Sequence, residues 1–313
     1  MKKTLIVGTE TVVGANLAAT LSEHFQVSAF AVSEAVEIDG CQNGTCLRQD
    51  RTTTRDWIAS ERPDSLILCG AAANSCWDDQ AGSTRAKRAI EHARHWANAC
   101  VEFNCHCVLI SSDGIFTGPW MFHDEDSQRL CPSTQARTIR SVEQAALDVD
   151  PSALVIRTNA FGWKPPTTED GWIEQTLEAL ESERLGTFDP IRHATPILAT
   201  DLAELVAAAL QQQLSGTLHI AGAERINPAQ FANRLALRFS LPVPRAAGIG
   251  ALAEPATGFG RGETSLQSST ARQTLGMPMP MLDAGIDRLF EQREDGFLER
   301  LDATPETIHE KVA

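Results

Sequence analysis

The sequence predicts an α/β fold: a doubly wound parallel sheet, with a smaller, discontinuous α/β region built onto it. Three observations predict it. Short apolar runs alternate with helical patterns through the first half, and that order returns each strand parallel to the last. A glycine-bounded turn, Gly8 to Gly14, joins the first strand to the first helix. With 42 % hydrophobic and 22 % charged residues in 313, the chain can bury a large core.

Taken in order, Thr4–Val7 reads as a strand and Gly14–His24 as a helix with Leu17, Ala18 and Leu21 on one face. Gln26–Phe30 is a second strand, and Thr53–Ser60 a helix. Ser65–Cys69, entered through Pro63-Asp64, is a strand, followed by a long helix over Lys87–Glu102 and a strand over His106–Ser111. A helix over Thr138–Leu147 leads to the buried strand Ala153–Arg157. Phe161–Thr168, with Gly162, Pro165 and Pro166, is a turn-rich exit. Then come a helix over Asp201–Gln211, a strand over Thr217–Ile220 and an amphipathic helix over Pro228–Phe239. Leu241–Arg261 is rich in Pro, Gly and Ala and reads as loop; from Gln292 a charged tail reads as a solvated helix. The expected division is a dinucleotide-binding domain over 1–160 plus about 186–222, a substrate-binding region over about 161–185 and 223–291, and the tail 292–313.

A formal net charge of −14 argues against nucleic acid or an anionic membrane as partner, because both need a basic footprint. No apolar run reaches the roughly 18–20 residues of a membrane span, and Met1–Lys3 leads straight into Leu5-Ile6-Val7, so a cytoplasmic protein is expected. The eight cysteines include no Cys-x-x-Cys pair and read as reduced thiols, several of them buried. Cys105-His106-Cys107 is the one arrangement that hints at a metal, but it enters a strand, where alternate side chains point to opposite faces. No metal is expected.

Gly8-Thr9-Glu10-Thr11-Val12-Val13-Gly14 stands where a Rossmann-like fold carries its dinucleotide turn. Glycines there let the pyrophosphate approach backbone N–H groups at a helix N-terminus. Thr11 holds the middle position, where a β-branched residue tolerates positive φ badly. Glu10 is expected to compete with a pyrophosphate for the helix dipole. After the second strand, Ala31-Val32-Ser33 offers neither an acid for a ribose diol nor an arginine for a 2′-phosphate.

Several segments resemble the dTDP-4-dehydrorhamnose reductases, extended short-chain dehydrogenases that act on nucleotide sugars. Pro63 to Ala73 is similar to the family's third segment, whose small residues (here Ala71, Ala72 and Ala73) pack beside the cofactor. Ser111-Ser112-Asp113-Gly114-Ile115-Phe116-Thr117-Gly118 is similar to its Ser-Thr-Asp-Tyr-Val-Phe-x-Gly. Leu154 to Thr158, Thr195-Pro196, Asp201 to Glu204, Gly216 to Gly222 and Ser265–Pro280 follow in the family's order.

The resemblance implies hydride transfer from NADPH or NADH to a 4-keto sugar, with a Tyr-x-x-x-Lys pair and a Ser/Thr completing proton transfer. A free phenol titrates near ~10, too high for acid–base work at neutral pH. An ammonium at ~4 Å, at an effective dielectric of ~20, favours the phenolate by about 4 kcal/mol, which lowers it by roughly three pH units. This chain contains no tyrosine. The resemblance puts Gln135 at the tyrosine position and Ile139 at the lysine position, with Gly114 where the family has a second tyrosine. Of the three roles only that of Ser112 is kept. On the substrate side the resemblance points to Trp163, Trp172, Arg192 and Arg261, since aromatic faces stack on bases and guanidinium groups grip phosphates.

His123, among Asp124, Glu125 and Asp126, reads as a residue of a solvated acidic loop that could approach the pocket. His193 lies near the junction with the second half, and His219 reads as a packing residue. No Ser-His-Asp set, P-loop or paired-histidine metal helix is present. Three readings follow: a non-catalytic module binding a nucleotide or nucleotide sugar and acting through a protein partner or as a homodimer; a divergent NAD(P)H-dependent reductase of a dTDP-4-keto sugar; or a different chemistry in the old pocket. The first has a precedent in the regulatory β subunit of methionine adenosyltransferase, which the chain resembles at the level of the fold.

Overall fold

The computed structural model describes residues 1–78, 86–167, 170–182, 189–244 and 259–302. Its strands are β1 Lys3–Val7, β2 Gln26–Ala31, β3 Gln42–Thr45, β4 Ser65–Leu68, β5 His106–Ser112, β6 Leu154–Thr158, β7 Ala160–Phe161, β8 Ile197–Leu198 and β9 Gly216–His219. Seven of them form one sheet in the order β3-β2-β1-β4-β5-β6-β9, with every neighbouring pair parallel. β7 and β8 pair separately. The predicted Rossmann-like doubly wound sheet is thus observed.

The central strands are buried on both faces, which is why they read as continuous apolar runs. Ile6, Ile67, Ile110 and Ile156 face one cluster, and Leu5, Val7, Leu66, Leu68, Leu109 and Val155 face the other. α1 Val12–Leu21 and α6 Ala199–Gln211 cover the first face. α2 Arg51–Glu61, α3 Ala86–Phe103 and α4 Thr134–Leu147 cover the second.

Local chemistry sets the helix ends. Asp50 caps α2 by accepting from Thr53 N at 2.9 Å, and the helix ends at Arg62 in the left-handed region, just before Pro63. Ser133 caps α4 by accepting from Ala136 N at 3.1 Å. That cap places the helix start at Thr134, a turn earlier than the apolar pattern from Thr138 suggests.

Beyond Thr158 the chain forms α5 Trp172–Glu181, α7 Pro228–Arg238, α8 Ser269–Leu275 and α9 Leu282–Glu291. Asn227 and Gln230 build a reciprocal capping box at the start of α7. Phe231 joins the second half together, its ring 5.1 Å from Phe161, 5.2 Å from Trp172 and 5.9 Å from Trp77.

The structure corrects several expectations. β3, α5 and α9 were not foreseen. Most of the expected loop at Leu241–Arg261, namely residues 245–258, and the end of the tail from 303 lie outside the described residues. The tail is not a solvated helix where it is described. It folds into α10 Phe297–Leu301, with Phe297 and Leu301 buried against the cluster that holds α1. Arg300 donates to Ala19 O and pairs with Glu23 at 2.7 Å, and its carbonyl accepts from Asp39 N at 2.9 Å. Two buried apolar side chains outweigh the charges around them because the charged heads can stay at the surface.

Candidate functional site

Strand order reverses at β1, which has β2 on one side and β4 on the other. In such sheets a crevice opens over the carboxyl ends of these strands. Gly8 and Ala71–Ala73 both stand there, the alanines as a short 3₁₀ turn after β4 closed by Ala73 N donating to Gly70 O at 2.8 Å.

The turn after β1 needs its glycines. Gly8 has φ +98°, and a Cβ on it would lie 2.0 Å from Cys69 O; one on Gly14 would lie 2.2 Å from Gly8 O. Thr11 needs no such freedom. Its φ is −88°, its hydroxyl donates to Gly8 O at 2.8 Å, and its Oγ1 accepts from Gly14 N at 3.0 Å. The expected strain at Thr11 is therefore absent, because its side chain caps α1 and holds the turn closed from within.

Glu10 stands beside the same turn. It precedes the helix and bends away to the end of β2, where its carboxylate accepts from Val32 N at 3.1 Å and from Ser33 Oγ at 3.3 Å. Gly8 N and Thr9 N both donate to Phe30 O, which pins the turn against β2 and brings Glu10 there. Burial pushes its carboxyl above the ordinary value, while neighbouring N–H groups and Ser33 pull the other way.

Two cavities meet at Ser33. The larger, about 490 Å³, is mainly apolar: Leu47, Leu68, Ala72, Trp96, Leu109 and Ile139 line it, with Gly8, Gln49, Arg88 and His92 among its polar or backbone walls. The smaller, about 200 Å³, is polar and acidic and lies over the start of α1, where Glu10, Glu34, Asp78 and Asp170 line it together with Thr11 and Lys164. Together they fall within the size of ordinary cofactor sites.

The proton-transfer positions look different. Ser112 is buried; its Oγ accepts from Gly114 N at 3.0 Å and donates to Asp113 at 3.3 Å. Gln135 lies half-buried in the first turn of α4, and Ile139 is buried one turn on. Ile139 belongs to an apolar cluster with Ile115, Phe116, Ala221 and Leu266, against which Ala72 and Phe259 pack. A Cβ on Gly114 would lie 2.5 Å from the Phe259 ring, so that ring fills the space a side chain at Gly114 would take.

Sequence reasoning missed the polar centre beside it. Asp113 Oδ2 accepts from Thr264 Oγ1 at 2.7 Å, Asn159 Nδ2 at 2.9 Å and Cys76 Sγ at 3.5 Å. Ser75 Oγ donates to Asn159 at 2.7 Å. Burial pushes Asp113 up to about 6, and the hydrogen bonds from Asn159, Thr264, Cys76 and Ser112 oppose the rise. Burial and the Asp113 carboxylate drive the Cys76 thiol well above its ordinary value. Asp113 itself stood out in the Ser111–Gly118 segment, but its partners come from distant parts of the sequence and did not.

Of the four substrate-side residues, Trp172 packs on Phe231 with ring centroids 5.2 Å apart, and Arg192 and Arg261 stand on adjoining segments, where His193 N donates to Gly262 O at 2.7 Å. Trp163 is buried, its Nε1 donating to Leu289 O at 3.0 Å and its ring 6.4 Å from Phe239. That placement makes it a packing residue, because both ring and N–H are already engaged in the core. Arg192 is mostly covered and pairs with Asp189 at 3.0 Å; Arg261 is exposed. A third cavity, about 500 Å³, opens between Gly118-Pro119 and Ile191, His193, Arg225 and Glu263.

His123 does not sit in a solvated loop. It is 3 % exposed, stacks on Phe116 with centroids 4.6 Å apart, and bonds to Ser127 Oγ through Nδ1 at 2.9 Å. Acidic neighbours in sequence suggested water; the aromatic stack buries the ring instead. His219 is fully buried beside it, Nδ1 3.0 Å from His123 O. Burial, with the Arg157 cation adding to it, pushes His219 down to about 3. Arg157 itself forks onto Glu143 at 2.8 and 3.0 Å.

None of the eight cysteines is in a disulfide, and all but Cys41 are buried. Among the described residues no group of three or more His, Cys, Asp or Glu could hold a metal ion, and no helix is long and apolar enough to cross a membrane.

A family model described as the RmlD substrate binding domain matches residues 1–294. A probable low-salt glycan biosynthesis reductase from Haloferax volcanii is 26 % identical over 145 residues, 44 % of this chain and 47 % of that protein, so the match spans about half of that relative. Among solved structures, a dTDP-4-dehydrorhamnose reductase from Bacillus anthracis in complex with NADP superposes with a TM-score of 0.74 at 18 % identity, over 93 % of this chain and 100 % of that one. A hypothetical dTDP-4-dehydrorhamnose reductase from Sulfolobus tokodaii gives a TM-score of 0.69 at 26 % identity, over 91 % and 99 %.

Proposed function

The chain belongs to the RmlD substrate-binding-domain family, the dTDP-4-dehydrorhamnose reductase-like group, and on that premise we propose that it binds a nicotinamide dinucleotide and a nucleotide sugar but no longer supplies the proton that completes reduction. The observation that carries this reading is the environment of Ile139. The family's cation would stand there, and the chain instead places an isoleucine among Ile115, Phe116, Leu266 and Phe259. A charge in that cluster would be desolvated at a cost of several kcal/mol.

The turn itself is less strained than the sequence suggested, which supports the dinucleotide reading. Gly8 and Gly14 keep the tight turn, Thr11 is folded inward, and the two cavities run from the end of β2 to α4. Gly8, the N–H end of α1, Ala72 and the walls of the larger cavity would hold the cofactor. A bound reduced nicotinamide supplies a hydride; the ketone oxygen then needs a proton from the protein. Gln135 is an amide and does not donate one at neutral pH. On this reading residues 1–160 with about 186–222 hold the dinucleotide, the second half holds the nucleotide sugar with Arg192 and Arg261 as its phosphate contacts, and the protein acts through a partner chain or as a homodimer.

One observation favours a second reading. Ser112 Oγ is hydrogen-bonded to Asp113, an acid that titrates at about 6. A divergent reductase could draw its proton through that pair.

Calorimetric titration with NADH and NADPH, followed by an assay with a dTDP-4-keto sugar, tests both. The first reading expects dissociation constants below ~100 μM for at least one dinucleotide, about −5.5 kcal/mol, and no turnover. Turnover that falls on Ser112→Ala establishes the second. No binding up to millimolar cofactor removes both.

A further inference from the structure

Four of the eleven large apolar side chains exposed among the described residues share one loop: Trp120 and Met121, each 57 % exposed, Phe122 at 45 % and Leu130 at 37 %. The loop is closed at its base. Thr117 N donates to Arg129 O at 3.0 Å and Cys131 N to Ile115 O at 2.8 Å, while His123 is buried on Phe116 inside it. It is also tied to the second half: Phe122 N donates to Ser265 Oγ at 2.9 Å, and His123 N to Ser265 O at 2.8 Å. The rings are thus held in water by a fixed backbone, which lowers the entropy that a partner's binding costs. Phe122 even holds φ +55°, a left-handed conformation that bulky residues rarely adopt.

A surface of this kind marks a contact site, and its charges say what it fits. Arg129 lies over the Trp120 ring, 5.1 Å from its centroid, and Asp124 and Asp126 follow the rings on the same loop. All three are exposed, and among the described residues none of them is in an ion pair. An apolar centre that carries both signs beside it is complementary to itself under two-fold rotation. Ring then meets ring, and Arg129 of one copy meets Asp124 and Asp126 of the other. The two acids disfavour an anionic lipid surface. Beyond about 8 Å at physiological salt the net charge of −14 is screened, so the local pairs decide the encounter.

We propose that two copies of this chain pair through the 118–130 loop, with Trp120, Met121 and Phe122 at the centre of an isologous seam and Arg129 facing Asp124 and Asp126 across it. Gly118 and Pro119, at the root of the loop, also line the cavity of about 500 Å³ beside His193 and Arg225, so the seam borders that cavity in each copy. The inference rests on the homodimer named in the reading above and is separate from ligand binding there.

The test is sedimentation equilibrium of the intact chain over a wide range of concentration, with thermal melts confirming that each variant folds. The wild type should be a dimer in equilibrium with monomer. Trp120→Ser and Phe122→Ser should each raise the dimer dissociation constant at least roughly tenfold, as aromatic anchors at the centre of an interface do. Arg129→Glu, and separately Asp124→Lys with Asp126→Lys, should each be monomeric, because each change sets like charge against like. Mixed together, these two proteins should form a dimer that neither forms alone, since the exchanged charges match again. A wild type that stays monomeric at every concentration overturns the inference and leaves the loop to another partner. A dimer that none of these variants weakens overturns it too, because a different face then holds the copies together. In either case the calorimetric titrations with NADH and NADPH still decide the ligand reading.

Discussion

Thr264 Oγ1 donates a 2.7 Å hydrogen bond to Asp113 across 151 residues of sequence. The bond fastens the segment after residue 259 to the carboxyl end of β5. Because Asp113 is wholly buried, the contact ties a titratable group to the seam between the sheet and the second half.

The first prediction follows from that burial. Asp113 titrates at about 6 in the fold against an ordinary value near ~3.9. Between those values the native state holds a proton that the unfolded chain does not. The contribution of this group to stability therefore rises as pH falls from 7 to about 4, by on the order of 3 kcal/mol. In urea melts, the stability of the wild type should rise from pH 7 to pH 4 by about that amount more than that of Asp113→Asn. Identical pH dependence in the two proteins would mean that the carboxyl is hydrated.

His219 should act in the opposite sense. Its value falls from an ordinary ~6.5 to about 3, so the unfolded chain takes up a proton that the fold refuses. Stability from this group is complete above ~6.5 and is lost as pH falls toward 3. His219→Gln should be less acid-sensitive than the wild type over that range while losing some packing stability at pH 7. A variant as acid-sensitive as the wild type would count against a neutral buried imidazole.

Gly114 and Phe259 should be energetically coupled. A Cβ on Gly114 would lie 2.5 Å from the Phe259 ring, and overpacking of this kind costs typically ~1–3 kcal/mol. Gly114→Ala should lower the melting temperature, and Phe259→Ala should remove most of that penalty in the double variant. Strict additivity in this double-mutant cycle would show that the ring does not occupy the space above Gly114.

Thr11 should be worth about one helix cap. Thr11→Val removes both bonds of its hydroxyl, to Gly8 O and from Gly14 N, and should cost about 1 kcal/mol in urea unfolding. Thr11→Ser should restore most of it. If Thr11→Gly proves more stable than the wild type, the threonine strains the turn after all.

How much of this was legible in the sequence depends on how local the cause was. β1, β4, β5 and β6 announce themselves because strands buried on both faces are apolar throughout. β3 is Gln-Asn-Gly-Thr at the sheet edge, mostly exposed, and polarity of that kind protects an edge while erasing the strand signal. The start of α4 was written in Ser133 and not in the apolar period. The spacing of Gly8 and Gly14 exposed the turn, but the course of Glu10 depended on the β1–β2 register, Val7 opposite Phe30, which no local pattern states. Cys76, Asp113, Asn159 and Thr264 converge from four distant segments, so their meeting is a property of the topology.

The docking of α10 has a consequence for synthesis. Arg300 reaches back to Ala19 over 281 residues, so the first strand–helix unit emerges from the ribosome long before α10 exists to cover it. At about 5–20 residues per second, the wait is roughly 15–55 s. For that time the surface of α1 that Phe297 and Leu301 later cover stays open to water and to chaperones, and the final step in sealing the N-terminal unit waits on the ribosome.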